Sequence, residues 1–408
     1  MTTPARLTLS LLALVSGAQA QAAPSGTLAY LRAGAAWVQT APAQPARPLP
    51  RSRGAALLDI SPASGSIAFM TGPAGADIHA DQAPALTPFL SKAPYSASVP
   101  LGTLVPDPRL RTVRARWLRW EGDGRNLIAG TDGGTVGWNL ARRQSFIPNQ
   151  TPLYQTTSLD GGVTATLGSV QSPDEPGVLL YGPGARPGTE VFTRTAPQNL
   201  MGALRAQPQP ALRRFLGDLD PLTQADDVSW VVTPPQVTRD GSRVYFASNA
   251  GWGVGSGGTT TAAIFGVEVK TVRLTALGWL GTFSGSALDL LPSPDGRHLL
   301  ILLTRHVSNL ETPVLAYVAD LPGKTLRELK AVTPPAGRTS VVDGACWLAD
   351  SRHVALSVAH PRPQDLKAAQ NFLPRNAEYT LLVMRAPDGQ VVSRVPGATS
   401  PACGAGRS

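Results

Sequence analysis

One form recurs along the chain: a short apolar run, a tight polar turn, then a second apolar run. Ala287 to Leu303 reads ALDLLPSPDGRHLLILL, and Val342 to Val358 reads VDGACWLADSRHVALSV. Pro235 to Ala247 (PQVTRDGSRVYFA), Leu57 to Met70 (LLDISPASGSIAFM) and Ala115 to Ala129 (ARWLRWEGDGRNLIA) follow the same plan, with a weaker copy at Thr156 to Leu167. Self-similarity at a spacing of tens of residues constrains a fold more than any single motif does, because each copy must be one supersecondary unit. Asp-Gly or a close substitute supplies the positive φ that a two-residue hairpin turn needs. The flanking β-branched and aromatic runs read as strands.

Two further short strands follow each second strand, for example Tyr379 to Arg385 and then Val391 to Val395. Four antiparallel strands per unit, repeated, make the blade of a β-propeller. The expected fold is therefore all-β, with second strands near Leu28, Ile67, Leu127, Thr164, Val244, Leu299 and Val354. Seven blades are expected, with six or eight as the alternatives. Gly26 to Tyr30 already reads as a second strand, so the C-terminal tail from Ala398 is expected to supply the missing innermost strand and close the ring. One domain is expected over 21–408. It includes a partly helical insertion at 196–232, where Leu200, Leu204, Leu212, Phe215, Leu216 and Leu219 recur at roughly helical spacing.

Ser-Pro-Asp-Gly-Arg at 293–297, echoed at 238–242 and 349–352, resembles the repeat of TolB-like and WD-repeat-like propellers. The opening pair Gly26 to Val38 is similar to the first strands of that class. The resemblance implies the propeller fold. It covers neither the separate α/β domain that TolB carries nor the hydrolase domain of propeller peptidases, so it leaves function open.

The N-terminus reads as a secretory signal. Arg6 gives the positive region, Leu7 to Val15 the apolar stretch, and Ala18-Gln19-Ala20 the small residues of a cleavage site after Ala20. The apolar stretch is far shorter than the ~20 residues of a membrane-spanning helix. A periplasmic or secreted monomer with no membrane span is expected. The net charge of +9 comes from 36 Lys and Arg against 27 acidic residues, and the basic residues are scattered rather than clustered. Nucleic acid is therefore not the expected partner.

The chemistry-bearing motifs are few. Gly281 to Gly285 has the wrong spacing for a nucleophile elbow. Gly253, Gly255 and Gly258 fit a dinucleotide fingerprint, but a strand-like TTTAAIFGVEV follows where that fingerprint needs a helix. His298 and His353 fall at equivalent repeat positions, which repeat geometry explains without a metal. Neither catalytic residues nor a cofactor nor a metal is expected.

Loop length carries the functional signal. Links from first to second and from third to fourth strand are short, whereas the long segments fall on the opposite face. One-sided insertion on a repeat scaffold marks a binding face. The expected role is an extracytoplasmic binding or scaffold propeller that recognises a protein, peptide or cell-envelope glycan. The alternative is an envelope carbohydrate- or peptide-processing enzyme with carboxylates in the central funnel. Candidate binding residues are Arg114 and Arg116, which share a strand face toward the channel, Arg213 and Arg214 in the insertion, and Trp252 in the Gly-rich loop. Cys346 and Cys403 are the candidate disulfide, which would join the last innermost strand to the closing tail.

Overall fold

The computed structural model describes residues 25–41, 44–75, 78, 84–108, 111–131, 134–146, 154–168, 177–181, 229–232, 235–251, 260–271, 273–283, 287–304, 315–323, 325–362, 364–365 and 377–404. These residues form seven antiparallel sheets, laid down in chain order. The first contains β1 (Thr27–Arg32), β2 (Ala35–Gln39) and β3 (Arg47–Pro48). The second runs β4 (Ala55–Ile60), β5 (Ile67–Thr71), β6 (Thr87–Ser91) and β7 (Ser98–Pro100), and is followed by the single helical turn α1 (Leu101–Leu104). The third runs β8 (Ala115–Trp120), β9 (Asn126–Thr131), β10 (Gly134–Asn139) and β11 (Gln144–Phe146). The fourth shows β12 (Tyr154–Thr157), β13 (Thr164–Gly168) and β14 (Gly177–Tyr181).

In the fifth sheet, β15 (Ser229–Val232) and β16 (Gln236–Val237) both pair with β17 (Arg243–Gly251), which continues to β18 (Thr260–Glu268) and β19 (Arg273–Phe283). The sixth runs β20 (Ala287–Pro292), β21 (His298–Thr304), β22 (Leu315–Asp320) and β23 (Thr325–Glu328). The seventh runs β24 (Val341–Trp347), β25 (His353–Ala359), β26 (Thr380–Arg385) and β27 (Gln390–Pro396). The last strand, β28 (Ala398–Gly404), leaves the seventh sheet and pairs antiparallel with β1, placing Cys403 opposite Leu28. Thus 229–232, the end of the expected insertion, is strand. The rest of the expected helical stretch and the expected signal segment lie outside the described residues.

The apolar cores sit between neighbouring sheets, and this explains why the second strands read as continuous apolar runs. In β5, Ile67 and Phe69 pack toward the first sheet while Ala68 and Met70 pack toward the third. In β21, Leu299 and Ile301 face the fifth sheet, and Leu300 and Leu302 the seventh. Every residue of β25 is buried. A strand covered on both faces needs apolar side chains at odd and even positions alike. Burying one such Leu or Ile side chain contributes roughly 1.5–3 kcal/mol. Toward the sheet edges alternation returns, as in β27, where exposed and half-buried residues alternate.

Three of the turns after the innermost strands share one hydrogen-bond scheme. Ser158 Oγ donates to Asp160 Oδ1 at 2.6 Å, Asp160 Oδ1 accepts from Gly162 N at 2.9 Å, and Ser158 Oγ accepts from Val163 N at 3.0 Å. Thr238, Asp240, Ser242 and Arg243 repeat it at 2.7, 3.0 and 3.0 Å. Ser293, Asp295, Arg297 and His298 repeat it again at 2.6, 3.0 and 2.9 Å. This corrects the two-residue turn expected from Asp-Gly. Ser158 N bonds Val163 O across a four-residue loop, and Gly161 N bonds Ser158 O. Only the glycine takes positive φ, +73° at Gly161, +70° at Gly241 and +67° at Gly296. In the seventh sheet Leu348 replaces the hydroxyl residue. Asp350 Oδ1 there accepts from both Arg352 N and His353 N, at 2.9 and 3.0 Å.

The same turns tie neighbouring sheets together. Leu159 N donates to Arg239 O at 2.9 Å, and Asp295 N donates to Ser351 Oγ at 3.0 Å. Ser25 N reaches Asp350 Oδ2 at 3.1 Å, which joins the start of the described chain to the seventh sheet. Together the seven sheets are arranged as a propeller-like all-β fold, with β4, β8, β12, β16, β20, β24 and β28 innermost. Among the described residues no helix is long and apolar enough to cross a membrane.

Candidate functional site

The ends of all seven innermost strands, together with the turns that follow them, line one cavity of about 300 Å³. It opens among the short turns. The residue after each turn's first position forms the rim: Pro62, Gly122, Leu159, Arg239, Pro294 and Ala349. Two residues before each turn begins, the strands place Asp59, Arg119, Thr156, Gln236, Leu291 and Cys346 in equivalent positions on the wall. Aspartate, arginine, threonine and glutamine thus face one cavity from four different sheets.

Asp59 is fixed by two main-chain donors. Its Oδ2 accepts from Trp120 N at 2.7 Å, which clips β4 to β8, and its Oδ1 accepts from Ile60 N at 2.8 Å. Protein surrounds the carboxylate although the cavity leaves it partly open, and this burial pushes its pKa up to about 6, against the opposing pull of those amides and Arg119. Arg119 extends across to Gln236 Oε1 at 3.4 Å. Asp289, one pleat below Leu291 and outside the cavity lining, keeps an exposed side chain, yet the protein crowded around it raises its pKa by desolvation against the pull of the Arg119 charge. Two carboxylates therefore share one guanidinium.

These shifts set a pH dependence. A carboxylate whose folded pKa lies above its unfolded value costs stability when ionised, so this cost is relieved as pH falls from about 6 toward 4. Asp59→Asn is expected to gain less stability than the parent between pH 7 and 4.5, by about 2 kcal/mol, an upper value for a group that water can reach. Urea midpoints of both proteins at the two pH values measure it. The comparison cancels His360, which burial holds below the usual histidine range and which acts in the opposite sense.

The wall opposite these polar groups carries the disulfide. Cys346 on β24 and Cys403 on β28 are bonded, with their Cα atoms 5.7 Å apart. Trp347 beside it donates its indole N–H to Leu291 O at 2.7 Å and ties β24 to β20.

The other candidate residues fall elsewhere. Arg114 precedes β8 and is exposed. Arg116 is the extra residue of a bulge, since the register with β9 shifts between Ala115 and Trp117. Its Nη1 donates to Ile78 O at 2.6 Å. Neither residue lines the cavity, and the arginine of β8 that does is Arg119. Trp252, Arg213 and Arg214 lie outside the described residues. Asp59, Gln236 and Arg239 were not singled out by sequence reasoning. Aligning the repeats on the first turn residue would have placed Asp59, Arg119 and Gln236 at one level.

No protein-family model and no curated protein matches the sequence. Among solved structures, a prolyl endopeptidase is 14% identical over 84% of this chain and 41% of its own, with a TM-score of 0.45. Hydrazine synthase of Kuenenia stuttgartiensis is 11% identical over 85% and 87% of the two chains, with a TM-score of 0.40. An oligogalacturonate lyase solved with manganese is 10% identical over 91% and 75%, with a TM-score of 0.32.

Proposed function

We propose that the seven sheets are the blades of a single ring closed by β28, and that the protein is an exported binding propeller. Its partner is a protein, peptide or cell-envelope component, recognised on the face that carries the long connections. The observation that supports this reading is the order of strands within the sheets. Turns from first to second strand span only 61–66, 121–125, 158–163, 238–242, 293–297 and 348–352. Connections on the other face include 72–86, 101–114, 305–314 and 360–379. A rigid scaffold with its variable length gathered at one end is the arrangement by which loops acquire binding roles.

The test is deletion of 196–228, which spares β15 and its pairing with β17. Crosslinking capture from an envelope extract should yield a partner for the full chain and lose it for the trimmed one. A partner retained at full yield after trimming would remove this segment from the binding face.

A second reading, an envelope carbohydrate- or peptide-processing enzyme, is favoured by Asp59 alone. A carboxyl group with a pKa of about 6 inside a cavity is suited to donate and accept protons near neutrality.

A further inference from the structure

We propose that the cavity at the short-turn mouth is a second binding site, for a small monoanionic carboxylate with an apolar body, and that Arg239 captures its charge. This site is distinct from the long-loop face and does not depend on that reading.

Charge decides the sign of the ligand. Two guanidiniums, Arg119 and Arg239, and one carboxylate, Asp59, line the cavity, and Asp289 lies one pleat below its wall, so the fixed charges balance and the placement of the rim cation decides the sign. Arg119 is already committed, since Asp59 and Asp289 both draw on its charge and Gln236 meets its Nη2. Arg239 is held by its backbone, whose carbonyl accepts from Leu159 N at 2.9 Å. Its half-exposed guanidinium has no ion-pair partner among the described residues. A cation at the mouth of a low-dielectric recess attracts anions and repels cations. A planar guanidinium also matches a carboxylate with two parallel hydrogen bonds.

The walls decide the rest of the ligand. Pro62, Pro294, Leu159, Ala349 and Trp347 surround the opening with apolar surface. With about 300 Å³ available, the site lies at the small end of ligand cavities, so the body is a ring or short chain rather than a folded domain. Thr156 and Gln236 also line the wall, but the Thr156 hydroxyl donates to Pro235 O and Gln236 Oε1 accepts from Arg119, so the rim guanidinium carries the recognition. A single unpaired guanidinium suits one negative charge better than the heavily hydrated dianion of phosphate.

Benzoate, benzamide, benzylammonium and inorganic phosphate are the probes, titrated into the full chain by calorimetry or by the fluorescence of wall tryptophans. Benzoate should bind saturably, about tenfold or more tighter than benzamide, with benzylammonium and phosphate weaker still. Arg239→Gln should cost benzoate about tenfold in affinity and leave benzamide unchanged, while Arg239→Lys recovers part of the loss. Because the Arg239 side chain makes no hydrogen bond or ion pair among the described residues, the circular dichroism and urea midpoint of both variants should stay close to the parent. Equal binding of benzoate and benzamide, preference for benzylammonium or phosphate, or benzoate affinity unchanged in Arg239→Gln would each overturn the assignment.

Discussion

Gly122→Ala is expected to destabilise the fold by about 3–5 kcal/mol, on the scale of severe overpacking lesions. A Cβ at residue 122 would stand 1.8 Å from Thr157 O and 2.7 Å from its carbonyl carbon. Both sides of this contact are main chain: the turn after β8 on one side and the end of β12 on the other. No side chain can rotate to make room, so the third and fourth sheets must separate. Gly34→Ala is the control. Gly34 takes a φ of +68° but an added Cβ meets nothing within 4 Å, so that variant should lose only about 1–2 kcal/mol. Urea denaturation of the two variants separates the cost of close approach from the cost of a left-handed backbone.

Removing the disulfide is the second large effect. Cys346→Ser with Cys403→Ser should lose about 2–4 kcal/mol, mainly because the unfolded chain regains the freedom that a cross-link between residues 57 apart removes. The parent in reductant should fall to the same urea midpoint, and the variant should not respond to reductant. The bond lies on the cavity wall and joins β24 of the seventh sheet to β28 of the first. Its loss should therefore weaken cooperativity between the two ends of the chain as well as lower the midpoint. An unchanged midpoint in reductant would mean that β28 is held without it.

The parts of this fold that were legible in the sequence are those fixed by burial on both faces. Leu299 to Leu302 and Val354 to Leu356 are apolar at consecutive positions because each lies between two other sheets, and the turn residues before them with the β-branched residues in them mark the runs as strands rather than helix. The residues taken as markers of second strands, from Leu28 to Val354, lie on β1, β5, β9, β13, β17, β21 and β25. The turn geometry was less legible. Asp-Gly suits a two-residue hairpin equally well; a preceding Ser or Thr hydroxyl bonded to the Asp supports the four-residue form in three turns, yet Glu121 and Leu348 open the same form without one. The cavity was least legible. Its wall is built from residues of unlike type that share only their distance from a turn. The length of β3, two exposed residues, was also beyond pattern reading, because an outer edge strand carries little apolar signal.

The central claim is that the seven innermost strands surround one axis, so that the first-sheet strand β28 lies between the second and seventh sheets. Nitroxide pairs on the rim, read by pulsed dipolar spectroscopy, test it most directly. Pro62 and Leu159 are two sheets apart along the chain, and Pro62 and Arg239 are three. Pro62 and Ala349 are five sheets apart along the chain but only two apart around a closed ring. The 62–349 distance should therefore match the 62–159 distance and fall below the 62–239 distance. Distances that grow steadily from 62–159 through 62–239 to 62–349 would describe an open stack of sheets and contradict the ring.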